Sequence, residues 1–348
     1  MGKKLFDFAI GNPPYQEEFS SDGNKTYAAP VYNKFMDAAA DVATSVELIH
    51  PARFLFNAGS TPKVWNEKML NDPHFKVLHY EENASRMFPN TDIKGGVAIT
   101  YHDKNKDFGT IGIFTPFSEL NIIMHKVWAN KNTISLSSIC ISSYAYHFTE
   151  TLHEENPLAK DRMSKGHFYD LKSNVMDKLT DIFVPLPQGD ERSYLKVIGR
   201  TGSKRVCKYI KRKYIATIEN TDLYKVFISA ATGSGQFGET FSNPVIAEPG
   251  VISTETFSSM GAFSSAQEAE NCMCYIKTKF SRALLGILKK TQHLTPENWK
   301  YVPLQDFSLS SDIDWSKSIH EIDQQLYKKY GLADEEIQFI ETNVKEMV

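Results

Sequence analysis

The residues of this chain best suited to chemistry are Asn12, Pro13, Pro14 and Tyr15, which follow an apolar run. An exocyclic amino group on a nucleobase is a weak nucleophile because its lone pair is delocalised into the ring. The Asn12 carboxamide oxygen and the Pro13 carbonyl can accept its two hydrogens and so favour a tetrahedral nitrogen with a free lone pair. Tyr15 can stack on a base that has left the duplex. The four residues therefore predict methylation of a base amino group, which needs positioning rather than a strong general base.

The run Leu5–Ile10 must position these residues. It is mostly apolar and ends sharply at Gly11, which predicts a buried parallel strand. The two prolines exclude a helix and favour an extended Asn12. The strand would deliver the four residues to the carboxyl end of a sheet, where open α/β folds bind ligands. An ordinary turn out of a strand stays open as the alternative, because Asn-Pro is common in such turns.

Five segments carry a resemblance to a known family: FDFAIGNPPYQ at 6–16, YNKFM at 32–36, VELIHPARFL at 46–55, RMFP at 86–89 and DIKGGV at 92–97. They resemble the amino-group DNA methyltransferases, specifically the adenine-specific branch close to Eco57I-type restriction–modification methylases, the NPPY motif included. The resemblance implies S-adenosyl-L-methionine as the cofactor and double-stranded DNA as the partner. It also implies that Phe88 packs on the flipped base from the face opposite Tyr15.

The segments between residues 31 and 101 alternate between helix and strand. Helical spacing predicts helices at 31–42 and 62–70, and apolar runs predict strands at 46–49, 76–80 and 96–101. We therefore expect an α/β fold that contains half of a doubly wound Rossmann-like methyltransferase sheet. Eleven residues precede Asn12, too few for the cofactor-binding half of the family's sheet. We expect that half to come from a partner subunit or from the rest of a longer polypeptide.

A G-x-G-x-x-G pattern occurs at 233–238 after a strand-like segment. A cofactor-binding turn of this kind must open a helix. The next residues, 239–250, contain two prolines and no helical period. The pattern therefore favours a flexible loop near the DNA backbone over a cofactor site.

The composition changes after residue 106, towards short strands and long turn-rich connections. We predict three parts: a partial catalytic domain at 1–108, an α+β target-recognition domain at 109–308 and a helical C-terminal tail at 309–348. The recognition domain would include a long helix at 266–290 and, by resemblance to restriction systems, Trp299 and Pro303 as core anchors. The tail predicts two helices separated by Gly331.

A basic run with interleaved tyrosines lies at 204–214. Basic residues combined with aromatic ones suit phosphate and base contacts, whereas a solvated strand face is the plain alternative. The candidate DNA-binding residues of this run are Lys204, Arg205, Lys208, Lys211, Arg212 and Lys213.

Composition narrows the remaining possibilities. The net charge of −3 limits any nucleic-acid surface to a local patch. The four cysteines form neither a disulfide framework nor a metal-binding pattern. No apolar run reaches the length of a membrane span and the N-terminus lacks a signal-peptide pattern, so we predict a soluble cytoplasmic protein.

Two functions compete. The first is a site-specific adenine DNA methyltransferase that comprises the catalytic motif and the recognition part; the second is a catalytically inactive DNA-binding specificity factor. Asp92-Ile93-Lys94 also resembles the end of a metal-dependent nuclease motif, but no suitable upstream Pro-Asp supports a nuclease. A partner that carries a Gly-rich cofactor turn would distinguish the first two.

Overall fold

The computed structural model describes residues 4–17, 29–89, 91, 93, 95–289 and 291–347. The chain is mixed α/β and forms two compact units, Met1–Asn121 and Ile122–Val348. The division falls within one helix, Ser118–Val127. The functional division at residues 108 and 308 stays a prediction. No helix in the described part of the chain combines the length and apolarity needed to cross a bilayer.

The first unit is built on a sheet that has four strands in the described residues. Its order is β1-β2-β4-β3; β1 and β2 are parallel, and β4 runs antiparallel to both of its neighbours. The helices and strands predicted between residues 31 and 101 are all present, with slightly different ends. Their observed bounds are β1 (Phe6–Gly11), α1 (Tyr32–Val42), β2 (Ala43–Pro51), α2 (Lys63–Leu70), β3 (Phe75–Glu81), β4 (Val97–Asp103) and α3 (Ser118–Val127).

Strand β2 is the centre of this unit because it is paired on both edges and largely buried along its length. Aromatic rings fill the adjacent core. Phe54 packs on Trp65 with ring centroids 5.1 Å apart, and Trp65 meets Tyr32 edge to face at 6.5 Å. Tyr32 comes from the first turn of α1. The core thus ties the start of α1 to the segment that follows β2.

The prediction that the first strand is buried is wrong. Strand β1 does pair in parallel with β2, but its side chains lie largely in solvent. Leu5, Phe6, Phe8 and Ile10 are 74%, 58%, 69% and 80% exposed. The physical reason is that β1 is an edge strand among the described residues, paired with β2 alone. Apolar residues at these positions are typical of a strand that is covered on both faces.

The second unit carries two small sheets, with orders β10-β6-β7 and β5-β11-β8-β9 in the described residues. Its strands are β5 (Cys140–Ile141), β6 (Tyr194–Thr201), β7 (Lys204–Lys211), β8 (Tyr224–Ser229), β9 (Val245–Ala247), β10 (Val251–Ser253) and β11 (Phe257–Phe263). Its helices are α4 (Glu150–Glu155), α5 (Ala159–Arg162), α6 (Val175–Lys178), α7 (Ala266–Lys277), α8 (Lys279–Leu285), α9 (Ile319–Lys329) and α10 (Asp334–Asn343).

The single long helix predicted at 266–290 is interrupted at Thr278, which separates α7 from α8. Thr278 adopts an extended ψ of 149°, and its hydroxyl accepts a hydrogen bond from the Ser281 N–H at 3.1 Å. Asp323 accepts further N–H groups of the new first turn at 3.0 and 2.8 Å. The helix stops because these side chains satisfy the N–H groups of a second helix start.

Trp299 and Pro303 are both buried, as predicted for core anchors. The Tyr275 hydroxyl of α7 donates to the Pro303 carbonyl at 2.7 Å. The two predicted C-terminal helices are present as α9 and α10, and Gly331 between them has a positive φ of 61°.

Candidate active site

The four motif residues lie directly after β1, at the edge of the sheet where β2 also ends. Because β1 and β2 are parallel and Gly11 pairs with Leu48, their carboxyl ends come together. The chain beyond Tyr15 is then held in place by an isolated bridge between Gln16 and Pro30. Tyr15 itself accepts the N–H of Val31 at 3.1 Å through its carbonyl.

A cavity of about 160 Å³ opens at this edge. Its volume lies below the range of about 300–1,000 Å³ usual for pockets that enclose drug-sized ligands. A single ring is therefore a better match than a whole nucleotide. The cavity is lined by Tyr15, Gln16, Pro30, Tyr32, Pro51, Arg53, Ser60 and Ile93.

Asn12 and Tyr15 are brought together by the structure. Burial raises the pKa of the Tyr15 hydroxyl, and the nearby Asn12 side chain opposes that shift. The hydroxyl has no hydrogen-bond partner among the described residues. Asn12 and Pro14 are exposed, whereas Pro13 and Tyr15 are half-buried. Asn12 is therefore accessible to a substrate, while Tyr15 forms part of the cavity wall.

Arg53 lines the same cavity, and the sequence analysis did not identify it as a site residue. It follows β2 and begins a short 3-10 helix, Arg53–Phe56. Its side chain lies against Gly95: a Cβ there would come within 2.9 Å of Arg53 Cγ, and the φ of Gly95 is +85°. The available signal was its position at the carboxyl end of a predicted strand, where ligands bind.

Phe88, the predicted second stacking residue, does not line this cavity. It is half-buried, and its carbonyl accepts the Thr91 hydroxyl at 2.6 Å. Ile93 from the same β3–β4 connection does reach the cavity wall. Asp92 and Lys94 of the nuclease-like triplet lie outside the described residues. The stacking role of Phe88 stays a prediction.

A buried histidine, His50, lies next to Pro51, one of the residues that line the cavity. His50 Nδ1 lies 3.2 Å from the Pro51 carbonyl and Nε2 lies 2.7 Å from Thr100 Oγ1. A carbonyl can only accept, so Nδ1 carries the proton and Nε2 accepts from Thr100. Burial lowers the pKa of His50 to about 4, although the hydrogen bond to Pro51 opposes this. A neutral imidazole therefore fixes Pro51, one of the lining residues.

The predicted basic run does not form one continuous free surface. Lys208 donates to the Met176 carbonyl at 3.2 Å. Two others form ion pairs, Arg212 with Asp222 at 2.9 Å and Lys213 with Glu155 at 2.5 Å. The ammonium group of Lys211 lies 5.7 Å from the centroid of the Tyr214 ring. The Arg205 guanidinium lies 4.9 Å from the centroid of the Phe257 ring. Lys204 is exposed. DNA contact by these residues stays a prediction.

The Gly-rich loop at 233–238 already holds an anion from its own chain. The Glu239 carboxylate accepts the N–H groups of Ser234 and Gly235 at 2.6 and 2.7 Å, and Lys289 Nζ lies 2.5 Å away. Burial opposes ionisation of Glu239, but the Lys289 pair and the N–H donors lower its pKa to about 2. The N–H groups that would cradle a phosphate are therefore occupied.

Comparison with known proteins supports the resemblance of the N-terminal part. Residues 1–88 match the family described as Eco57I restriction-modification methylase, which confirms the predicted family over that segment. An uncharacterized adenine-specific methylase of Mycoplasma pneumoniae (strain ATCC 29342 / M129 / Subtype 1) is 28% identical over 119 residues. That match covers 34% of this chain and 28% of the relative.

A solved structure, that of the type IIG restriction endonuclease BpuSI, aligns with 97% of this chain and 54% of its own. The identity is 12% and the TM-score is 0.31, so this likeness is too weak to indicate a shared fold or function.

Proposed function

We propose that this chain is the catalytic-motif and DNA-recognition part of a site-specific adenine DNA methyltransferase of a restriction–modification system. The observation that carries the proposal is the placement of Asn12 and Tyr15 at the carboxyl end of a parallel strand, beside a cavity of the scale of one ring. The family match over residues 1–88 supports the same reaction class.

In this proposal, the target adenine leaves the duplex and Tyr15 stacks on it. Asn12 Oδ1 and the Pro13 carbonyl accept the two hydrogens of the amino group and localise its lone pair. In the complete enzyme the amino nitrogen would accept the methyl group from the donor and would then release one proton to solvent. Because no Asp, Glu or His is among the described residues that line the cavity, the chain contributes positioning and electrostatics.

S-adenosyl-L-methionine would supply the methyl group in the complete enzyme. The Gly-rich loop of this chain does not fit that cofactor, because Glu239 occupies its N–H donors. The proposal therefore includes a cofactor-binding part, provided by a partner subunit or by a longer polypeptide.

The exposed apolar side chains of strand β1 support the proposal of a separate cofactor-binding part. Phe8 and Ile10 lie largely in solvent, and the outer edge of β1 is unpaired among the described residues. An apolar edge strand is a template for another strand. A cofactor-binding part that continues the sheet at β1 would cover these side chains and complete a doubly wound fold with the first unit.

Methylation in cells tests the proposal. The chain would be co-expressed with its natural cofactor-binding part in a host that lacks adenine methylation, and N6-methyladenine would be mapped by sequencing. Asn12→Ala should lower turnover on the order of a hundredfold to a thousandfold, the usual cost of one preorganised polar contact at a reacting centre. The exposed Asn105, from the same unit, provides the matched control Asn105→Ala.

DNA affinity should change little in Asn12→Ala. Full methyl transfer by Asn12→Ala would show that the motif has only a structural role and would refute the proposal. DNA binding by the complemented wild type without any methylation would instead favour a specificity factor.

A further inference from the structure

A cleft in the second unit has a volume of about 650 Å³. It lies where the β6–β7 hairpin approaches the segment before β11. Its lining includes Tyr144, Arg200, Ser203, Arg205, Glu255 and His293. Of these residues, sequence reasoning identified only Arg205.

Two arginines face each other across the hairpin. Arg200 of β6 is directly opposite Arg205 of β7, and the next pair towards the turn is Thr201 with Lys204. Like charges in directly opposite positions destabilise a pair of strands. An anionic or acceptor-rich ligand bound to both arginines would offset this repulsion.

Neither arginine is neutralised within the described part of the chain. Arg200 contacts a neutral oxygen, Ser173 Oγ, at 3.4 Å. Glu255, which shares the cleft, is instead paired with Lys172 at 3.1 Å and accepts the Ser173 N–H at 2.9 Å. The Glu255 carboxylate in the cleft is therefore bound to other donors.

The Arg205 guanidinium is held by an aromatic ring. It lies 4.9 Å from the centroid of Phe257, which is itself buried in the core of the unit. A cation–π contact of this kind restrains the Arg205 side chain, and a guanidinium can donate two parallel hydrogen bonds. Such a fork matches two adjacent acceptors.

An aromatic side chain completes the lining. Tyr144 is 58% exposed, and Lys172 Nζ lies 5.3 Å from the centroid of its ring. An exposed ring next to cations is suited to a polyanion that also carries flat bases.

We propose that this cleft binds double-stranded DNA, with Arg205 and Arg200 donating to a pair of adjacent acceptors. Two such pairs exist on DNA: the oxygens of a phosphate and the O6/N7 edge of guanine. This inference rests on the proposed function, because it supplies the contact surface of the recognition part.

Selection from a random duplex library tests it with the full chain. Wild type, Arg205→Lys, Arg205→Ala, Arg200→Ala and the control Arg192→Ala would be compared by the affinity and the sequence of the bound DNA. Arg192 is an exposed arginine of the same unit outside the cleft. Equal thermal unfolding of all variants would establish that they are folded.

We expect Arg205→Ala and Arg205→Lys to weaken binding on the order of tenfold, because a lysine keeps the charge but not the fork. Arg192→Ala should bind as wild type does. Loss of a guanine preference at one position would identify the base edge as the ligand. Uniform weakening with a salt slope reduced by about 1 would identify a phosphate.

Unchanged binding by the Arg205 and Arg200 variants, or failure of the wild type to retain any duplex, would overturn the inference. The two proposals fail separately. If the arginine variants bind DNA normally and the complemented enzyme methylates DNA, only this inference is refuted. Arginine-dependent DNA binding without methylation in the complemented enzyme removes only the proposed reaction.

Discussion

The rings of Tyr32 and His50 stack in parallel, with centroids 5.8 Å apart and an interplanar angle of 5°. Both are buried, and Tyr32 lines the candidate cavity. The stack joins the first turn of α1 to the end of β2, and each of these elements contributes one residue to the cavity lining. A neutral His50 is therefore part of what holds the candidate active site together.

This arrangement predicts a loss of stability in acid. The native pKa of His50 is about 4 and its ordinary value is 6.5, so between these values the unfolded chain binds a proton that the native chain does not. Stability should fall as the pH drops from 6.5 towards 4, by on the order of 3 kcal/mol for this group at the lower limit. Urea unfolding at several pH values would measure this.

His50→Gln removes the titrating group and should flatten the pH dependence, although the variant will be less stable at pH 7. The exposed His79 of the same unit provides the control, His79→Gln, which should keep the wild-type pH dependence. An identical slope in wild type and His50→Gln would contradict the assignment.

Phe88 provides a test that separates base capture from chemistry. Phe88→Ala should weaken capture of the flipped adenine by about 1–3 kcal/mol, as lost stacking does in single-strand binders. In the complemented enzyme, a duplex with a 2-aminopurine at the target position would report flipping by its fluorescence. Because Phe88 does not line the cavity in this structure, an unchanged signal would mean that Tyr15 stacks without it.

The basic run should divide into two groups in DNA binding. Lys204 and Lys211 are exposed, so Lys204→Ala and Lys211→Ala should each weaken binding to all sequences and reduce the salt slope by about 1. Arg212→Ala should have a smaller effect, because Arg212 is paired with Asp222. Titrations at several salt concentrations would measure both. Equal effects of all three substitutions would show that the ion pair opens on binding.

The exposed strand β1 should be needed for assembly with the cofactor-binding part. Phe8→Glu places a charge on the apolar surface and should abolish co-purification of that part, while the isolated chain keeps its circular dichroism spectrum. The exposed Val64 of α2 gives a matched control, Val64→Glu, outside the strand. Undiminished co-purification of Phe8→Glu would place the contact elsewhere.

The isolated chain should not bind S-adenosyl-L-methionine with useful affinity. The reason is that its Gly-rich loop holds the Glu239 carboxylate on the N–H groups that a phosphate or carboxylate would need. Isothermal titration calorimetry would test this, and a site of micromolar affinity would disprove it.

The sequence by itself determined the local structure around the motif. The apolar run before Gly11 and the prolines after it predict a strand followed by an extended segment, and β1 ends at Gly11. The spacing of apolar residues predicts α1 and β2 well, and the family match over residues 1–88 includes both elements. These features follow from residues close together in the chain, so a linear pattern is sufficient to predict them.

The tertiary structure alone decided which side chains are available. Arg212 meets Asp222, Lys213 meets Glu155, and Glu239 meets Lys289. The pairing of Arg200 with Arg205 depends on strand register. A linear pattern records how many charges a segment has but not which partner folds against each one. The exposure of β1 is decided in the same way, because it depends on which strands pair with it rather than on the residues it contains.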